Sequence, residues 1–298
     1  MNKRSIYFLA ISTLIFIACS SNDNEPTDPA DDGPTQVDKS QNLLATGASA
    51  NDILSNARFD KLLIEATYAP GFRPTDEAMN NFQDYLRTHT FKTDIEIEYR
   101  EIDATGEESL TLEEIDDLEQ ENRTAYNDGT TLAIYIFFAD APSEGDNLDE
   151  GLVTVGAVYR NTSMIIYEKT VKTLADRSFT ITTADVETAT LNHEFGHLFG
   201  LVNLGTVPVN DHEDPEAENH CNVDPCLMRA ELEFGQVNRA FSAIHNKSHL
   251  HSSCSLNGEA LLKQMELQVS RGNAATPGLD PECRLDLESN GGRPSTES

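Results

Sequence analysis

The chain has no tryptophan and few basic residues, with 21 Lys and Arg against 51 Asp and Glu in 298 residues. The resulting formal net charge of −30 repels phosphate groups, which argues against nucleic acid as a partner. Hydrophobic residues still make up 38% of the chain. This is enough apolar material for a core, so the composition excludes disorder throughout. The chain has no internal repeat, and its length allows one large domain or two modest ones.

Long apolar runs are also lacking, except near the N-terminus. Residues 6–18 form an apolar run after Lys3 and Arg4, which is long enough for a signal peptide and too short to span a bilayer. The run ends in the letters FIAC at Cys19. This pattern resembles a bacterial lipobox, whose cysteine becomes the lipid-modified first residue of the mature protein. We therefore predict a lipoprotein signal peptide at residues 1–18 and lipidation of Cys19, with an ordinary cleaved signal peptide as the alternative.

Residues 19–45 are rich in Asp, Asn, Pro, Ser and Thr. Such a composition buries too little apolar surface to fold, so we predict a flexible acidic tether followed by a folded domain at residues 46–290. The letters SSNDNE at residues 20–25 resemble the export signal of some Gram-negative surface lipoproteins. The expected location is therefore the bacterial outer membrane, with either a periplasmic or an outward orientation.

From residue 61 onward the local patterns alternate between strand and helix. Short apolar or alternating runs favour strands, whereas apolar residues at helical spacing after a capping residue such as Thr111 favour helices. The expected fold is α/β, with one mixed sheet and its helices, followed after residue 200 by an irregular, loop-rich part. Strands are predicted at residues 61–68, 94–102, 131–139, 152–160 and 163–169, helices at 75–88, 111–126 and 183–200, and weaker helices at 256–268 and 281–287.

The predicted helix at residues 183–200 contains the letters HEFGH, which begin at His193. Residues i and i+4 of a helix lie on the same face, so His193 and His197 can share one zinc ion. Glu194 projects near the two histidines and is suited to take a proton from a water whose pKa the metal lowers. The motif therefore predicts a catalytic zinc site, with His193 and His197 as ligands and Glu194 as general base.

Two further segments resemble the metzincin clan of zinc endopeptidases. Gly200 stands three residues after His197, where metzincins need a residue that lets the helix end and the chain turn. The letters HCNVDPCLM, from His220 to Met228, are similar to an archaemetzincin segment whose His is the third zinc ligand and whose Met forms the Met-turn beneath the metal. The intervening residues are similar to the insertion of leishmanolysin-type metzincins.

The chain as a whole resembles bacterial membrane-lipoprotein metalloproteases that carry this insertion, and the resemblance covers residues 61–228. It implies a metzincin-like domain with an upper subdomain at about residues 60–200, which holds the mixed sheet and the HExxH helix, and a lower subdomain at about residues 201–290. It also implies the Met-turn role of Met228, whereas a methionine in a core is normally a packing residue.

The third zinc ligand stays open between two histidines. The residue three positions after Gly200, where metzincins usually place this ligand, is Asn203, and an amide oxygen is a poor zinc ligand beside imidazole. The archaemetzincin spacing favours His220. His212 is the alternative, within a loop rich in acidic residues.

Four cysteines follow Cys19 in the sequence. In archaemetzincins the pair that corresponds to Cys221 and Cys226 helps to bind a second, structural zinc, but the C-x-x-C that completes that site is absent here. An even number of cysteines in an exported chain favours disulfides instead. We predict the pairs Cys221–Cys226 and Cys254–Cys283, although other connectivities are open.

One catalytic zinc ion is the expected cofactor. Acidic runs at residues 140–150 and 211–218 could bind calcium through clustered oxygens, but such runs are more often solvated loops. The function predicted from these residues is a lipid-anchored zinc endopeptidase that acts on protein or peptide substrates. The alternative is a catalytically inactive surface-binding lipoprotein that retains a zinc site, which the intact Glu194 argues against.

Overall fold

The most apolar stretch after the N-terminal run lies at the centre of a five-stranded sheet. The computed structural model describes residues 38–147, 151–229 and 256–294. In these ranges the strands, numbered along the chain, are β1 (Lys61–Tyr68), β2 (Asp94–Glu101), β3 (Thr131–Phe138), β4 (Leu152–Val153), β5 (Gly156–Arg160), β6 (Ser163–Ile166), β7 (Glu213–Asp214), β8 (Ala217–Cys221) and β9 (Leu256–Asn257). The main sheet has the order β2-β1-β3-β6-β5. Its first four strands are parallel and β5 runs antiparallel to β6, so the predicted mixed sheet is confirmed.

Strand β3 is buried on both faces, which explains its continuous apolar sequence. Ile134 and Ile136 pack into one core together with Phe195. Tyr135 and Phe137 alternate with them and pack into a second core on the other face of the sheet.

One helix is central to the packing on the first of these faces. The helices of the described residues are a 3-10 turn at Lys39–Asn42, α1 (Ala50–Leu54), α2 (Asp76–His89), α3 (Leu112–Asn122), α4 (Glu168–Ala175), α5 (Thr183–Leu198), α6 (Gly258–Ser270) and α7 (Pro281–Ser289). Helices α2 and α4 and strand β5 all pack against α5. Phe82 of α2 meets Phe195 of α5 edge to face, with ring centroids 5.2 Å apart. None of the helices in the described ranges is long and apolar enough to cross a membrane.

The structure divides two of the predicted strands. Residues 152–160 form β4 and β5 rather than one strand, because the Thr154 amide donates to the Asp146 carboxylate at 2.7 Å instead of continuing the sheet. Strand β4 pairs with β9 in a separate two-stranded sheet. Residues 163–169 form only the short strand β6, after which α4 begins at Glu168. Buried Val171 and Leu174 have the helical spacing that predicts this helix.

The folded part of the chain begins earlier than residue 46. Asn42, inside the predicted tether, is fully buried and donates to the Ala133 carbonyl at 3.1 Å and to the Asn127 side chain at 2.9 Å. The predicted tether is therefore wrong for residues 38–45, where Asn42 and the Leu44 backbone bond to the folded domain, although Asp38, Lys39 and Ser40 are exposed. The signal peptide, Cys19 and the rest of the tether up to residue 37 lie outside the described residues.

A buried ion pair connects α3 to the sheet. The Arg123 guanidinium lies 2.7 Å from the Glu119 carboxylate, and their side chains are 0% and 3% exposed. Arg123 also donates to the Ala133 carbonyl of β3 at 2.9 Å and to the Ser163 hydroxyl of β6 at 3.1 Å. Each partner removes a donor or acceptor that burial would otherwise leave unpaired.

We expect Arg123→Met to lower the free energy of unfolding by about 3–5 kcal/mol, because it leaves the buried Glu119 carboxylate without its counter-charge, although the Ser163 hydroxyl still donates to it at 2.7 Å. Arg87→Met is the control, since it breaks an exposed pair with Asp84 that contributes about 0.5 kcal/mol or less. Urea unfolding of both variants measures the difference. Equal losses in the two variants would contradict the assigned role of Arg123.

Candidate metal centre

Helix α5 supplies two histidines and a glutamate from one buried turn. Its start is fixed by a capping box, in which Thr182 accepts from the Asp185 amide and the Asp185 side chain accepts from the Thr182 amide. The side chains of His193, Glu194 and His197 are all buried. The HExxH letters therefore lie on the predicted helix, inside the protein rather than on a solvated face.

The helix ends where the chain must turn sharply. Gly200 has a φ of +77°, a conformation that glycine adopts without the steric cost of a side chain. A Cβ at this position would lie 2.6 Å from the Thr206 hydroxyl and 2.9 Å from the Ala50 Cβ. The segment after Gly200 leads into the β7–β8 hairpin, and β8 returns His220 to the helix.

Three imidazoles meet between α5 and β8. The ring centroids of His193 and His197 are 5.0 Å apart, and those of His220 lie 5.5 Å and 5.3 Å from them. One ligand nitrogen from each residue lies within 4.8 Å of the others. This arrangement suits a single ion with three protein ligands, which leaves a coordination position for water or substrate.

Backbone carbonyls orient two of the rings. His193 Nδ1 lies 2.7 Å from the Leu227 carbonyl, and His220 Nδ1 lies 2.9 Å from the Glu218 carbonyl. A carbonyl oxygen only accepts, so both Nδ1 atoms carry the proton and both Nε2 atoms keep a lone pair for a metal.

The electrostatic environment keeps these imidazoles neutral. Burial and the neighbouring His220 lower the pKa of His193 to about 3. Burial together with His193 and His220 lowers the pKa of His197 well below its usual value, and burial also lowers the pKa of His220. A neutral imidazole is the form that binds a metal.

Strand β5 reaches the site at a glycine. A Cβ on Gly156 would lie 2.7 Å from the Glu194 Cγ and 2.7 Å from the Thr190 Cγ2. Only a residue without a side chain lets β5 lie this close to helix α5. The Glu194 carboxylate is therefore confined between its own helix and the sheet edge.

Met228 packs against the helix beside His197. A Cβ on Gly196 would lie only 2.2 Å from the Met228 Sδ, so the methionine fills the space that this glycine leaves open. The Met228 carbonyl accepts from the Cys221 amide at 2.7 Å, which joins its turn to the strand that carries His220. The position fits the Met-turn role, which stays a prediction.

His212 lies with a different group of residues. Its Nε2 is 2.8 Å from the Asp286 carboxylate and its Nδ1 is 3.4 Å from the Cys221 Sγ. Asn203 also lies elsewhere, since its side-chain amide bonds to the Glu213 carboxylate. Of the two candidates for the third ligand, the structure brings His220 and not His212 to the pair on α5.

The predicted Cys221–Cys226 disulfide is wrong, because both are free thiols in the structure, as is Cys283. Helix α7 brings Cys283 to a distance of 3.7 Å from the Cys226 Sγ, too far for an S–S bond of about 2.05 Å. The Cys221 thiol donates to the Asp280 carboxylate at 2.9 Å. The other predicted pair includes Cys254, which lies outside the described residues.

Two of these thiols, those of Cys221 and Cys283, belong to a second group of potential metal ligands. One ligand atom from each of His212, Cys221, Asp280 and Cys283 lies within 4.8 Å of the others, and all four residues are buried. Hydrogen bonds with Cys226 and Cys283 lower the pKa of the Cys221 thiol, whereas hydrogen bonds with Cys221 and Cys226 raise the pKa of the Cys283 thiol. Residues 140–147 are the described part of the first acidic run considered for calcium. They contribute no residue to either of the two groups of potential metal ligands found in the described ranges.

Sequence reasoning missed Asp280, which belongs to this second group, and Asp286, which bonds to its member His212. The letters DPEC show Asp280 only as a helix cap before Pro281, and it does accept from the amides of Glu282 and Cys283. Asp286 has no sequence pattern that marks it as a partner of His212.

No protein-family model and no curated protein matches the chain. Among solved structures, a crystal structure of an archaemetzincin from Methanopyrus kandleri is similar, with 14% sequence identity and a TM-score of 0.40. The match covers 78% of this chain and 96% of that chain. A likeness this weak does not carry the functional interpretation, which depends on the geometry of the site.

We expect Gly196→Ala to destabilise the protein through its contact with Met228. In a helix without that contact, replacing glycine by alanine stabilises by about 0.8–1 kcal/mol. A loss of stability in Gly196→Ala would therefore show that the contact exists. Met228→Ala removes the opposing sulfur. The double variant should therefore lose about 0.5–3 kcal/mol less free energy of unfolding than the sum of the losses in the two single variants. Urea unfolding of the full cycle measures this coupling, and strict additivity would exclude the contact.

Proposed function

We propose that the protein is a zinc-dependent endopeptidase. The observation that carries the proposal is the convergence of three buried, neutral imidazoles, those of His193, His197 and His220, next to the carboxylate-bearing Glu194. Three nitrogen ligands with a remaining open position are the donor set of catalytic zinc sites. A purely structural site has no need of a general base beside its ligands.

When bound, zinc would lower the pKa of a water molecule and polarise the carbonyl of the bond to be cleaved. Glu194 would take the proton of the attacking water and return it to the leaving amine. The Leu227 and Glu218 carbonyls would hold the His193 and His220 rings in the metal-binding orientation during this exchange. A peptide substrate would pair its backbone with the edge strand β5, which passes Glu194 at Gly156.

We expect Glu194→Gln to bind zinc like the wild type and to lose peptide cleavage by about 10²–10⁴-fold, because glutamine has the same shape but cannot accept the proton. Peptide cleavage and bound metal are measured on the same purified samples. Unchanged cleavage would refute the role of Glu194. A wild-type protein that binds zinc without any turnover would instead support the surface-binding alternative.

We also propose a second, structural zinc at the group formed by His212, Cys221, Asp280 and Cys283. Thiolates and imidazole are preferred zinc ligands, and four buried donors fill a closed tetrahedral site. Cys226 lies beside this group and could replace one of the oxygen or nitrogen ligands. The strand β8 holds His220 and Cys221 as neighbours, so this ion would fix the strand that delivers the third ligand of the catalytic zinc.

The two proposed ions should be separable by substitution. Wild-type protein reconstituted under reducing conditions should hold two zinc ions, and His220→Ala and Cys283→Ser should each hold one. When cobalt replaces zinc, its spectrum distinguishes a site with thiolate ligands from a site without them. Only His220→Ala should lose the signal of the site without thiolate ligands. His212→Ala is the matched control for the third ligand, since it should keep the three-histidine ion. One ion in the wild type would exclude the second site.

We further propose that Cys19 is lipid-modified and that the protein is exported and held at the outer membrane. The support is the sequence pattern alone, a short basic start, an apolar run and the letters FIAC. Metabolic labelling with a fatty acid tests the proposal directly, because Cys19→Ala should abolish incorporation of the label.

A further inference from the structure

Helices α4 and α5 pack against each other, and a glutamate from each forms a hydrogen-bonding pair inside the protein. Glu168 is the first residue of α4 and Glu187 lies on α5, upstream of the catalytic histidines. Both residues are 0% exposed. Two carboxylates so close together in a buried place cannot both keep a negative charge at moderate cost.

The Glu187 carboxylate is held as an acceptor by the start of α2. The Thr75 amide donates to both of its oxygens at 3.1 Å, and the Thr75 hydroxyl donates to Oε2 as well. The Thr75 hydroxyl oxygen in turn accepts from the Ala78 amide at 3.3 Å and so caps α2. In the bonds between Thr75 and Glu187, the glutamate is always the acceptor, which marks it as the ionised member of the pair.

Glu168 has no comparable donors in the described part of the chain. If both glutamates are ionised, neither carboxyl oxygen of Glu168 has a hydrogen-bond partner among the described residues. The nearest cation, the Lys172 ammonium, lies 3.6 Å from Oε1, and it donates instead to the Gly71 carbonyl at 2.9 Å. A proton on Glu168 would give this residue a hydrogen-bond partner, because the protonated carboxyl group can donate to Glu187.

The charges around the pair are consistent with one bound proton. In the described ranges, the titratable groups that face Glu168 are Glu187 from α5 and Lys172 from its own helix, while α2 contributes only the hydroxyl and amide of Thr75. One neutral acid, one carboxylate and one ammonium leave the cluster without net charge. Burial and the adjacent Glu187 raise the pKa of Glu168 to about 9.

We propose that Glu168 is a positioning residue, protonated at neutral pH, whose hydrogen bond to Glu187 fastens α4 to the helix that carries the catalytic histidines. The Glu187 carboxylate of α5 would then accept hydrogen bonds both from Glu168 of α4 and from Thr75 at the start of α2, so it would join three helices. Loss of the proton places two negative charges in contact and removes the bond, so the catalytic helix loses an anchor in alkaline solution. The inference concerns the folded chain and does not depend on its peptidase activity.

Infrared spectroscopy of the full, zinc-loaded chain tests the proton directly. A protonated carboxylic acid has a carbonyl stretch separate from that of carboxylates, and the wild type should show this band at pH 7 and lose it with a midpoint near pH 9. The isosteric Glu168→Gln should lack the band and should still fold, because its amide can donate to Glu187. Glu65→Gln is the control and should keep the band, since Glu65 is ionised beside Arg100 at 2.7 Å. A band at pH 7 that survives Glu168→Gln, or no band in the wild type, would overturn the proposal.

The pH dependence of folding provides a second measurement. The folded pKa of Glu168 lies above its ordinary value of 4.5, so its contribution to stability is complete in acid and is lost as the pH rises toward 9. Relative to Glu168→Gln, the folding equilibrium constant of the wild type should fall about tenfold per pH unit between these limits. Parallel pH profiles for the two proteins would show that no proton is taken up at this residue.

Discussion

The hydrogen bond from His193 Nδ1 to the Leu227 carbonyl joins the two halves of the candidate metal centre. His193 belongs to helix α5, and Leu227 belongs to the turn that presents Met228 to the same helix. The bond fixes the tautomer of the ring, so the second nitrogen faces the other two histidines. If the turn moved, the imidazole would lose its orientation, and the methionine would lose its contact with Gly196.

A helix that carries ionisable residues in a protein interior needs neutral or compensated partners on every side. Burial keeps the three imidazoles neutral. Elsewhere in the interior, Arg123 supplies the counter-charge for Glu119. The buried ammonium of Lys92 instead donates to the backbone carbonyls of Asp52, Ser55 and Phe59.

The sequence predicts the HExxH helix and most of the sheet well, because both depend on local periodicity. Strand β1 has the predicted bounds, and α5 starts at the predicted Thr183. The residues that were misjudged depend on distant partners. Cys226 and Cys283 are 57 positions apart, and no local pattern distinguishes a thiol that meets a distant carboxylate from one that forms a disulfide.

Helix α4 was missed because it follows β6 after one residue, so an apolar strand and an amphipathic helix read as one run. The choice between His212 and His220 depends on the β7–β8 hairpin, whose pairing cannot be read from its acidic composition.

The last described helix gives the molecule an order of assembly. The Leu227 amide donates to the Gly278 carbonyl at 2.9 Å, and the Asp286 carboxylate accepts from the Val209 amide at 2.6 Å. The turn that carries Leu227 and the loop before β7 are thus both held by residues that follow them by about 50 to 80 positions in the chain. A chain cut short before those residues would contain the complete HExxH motif and lack the support that holds the third histidine in place.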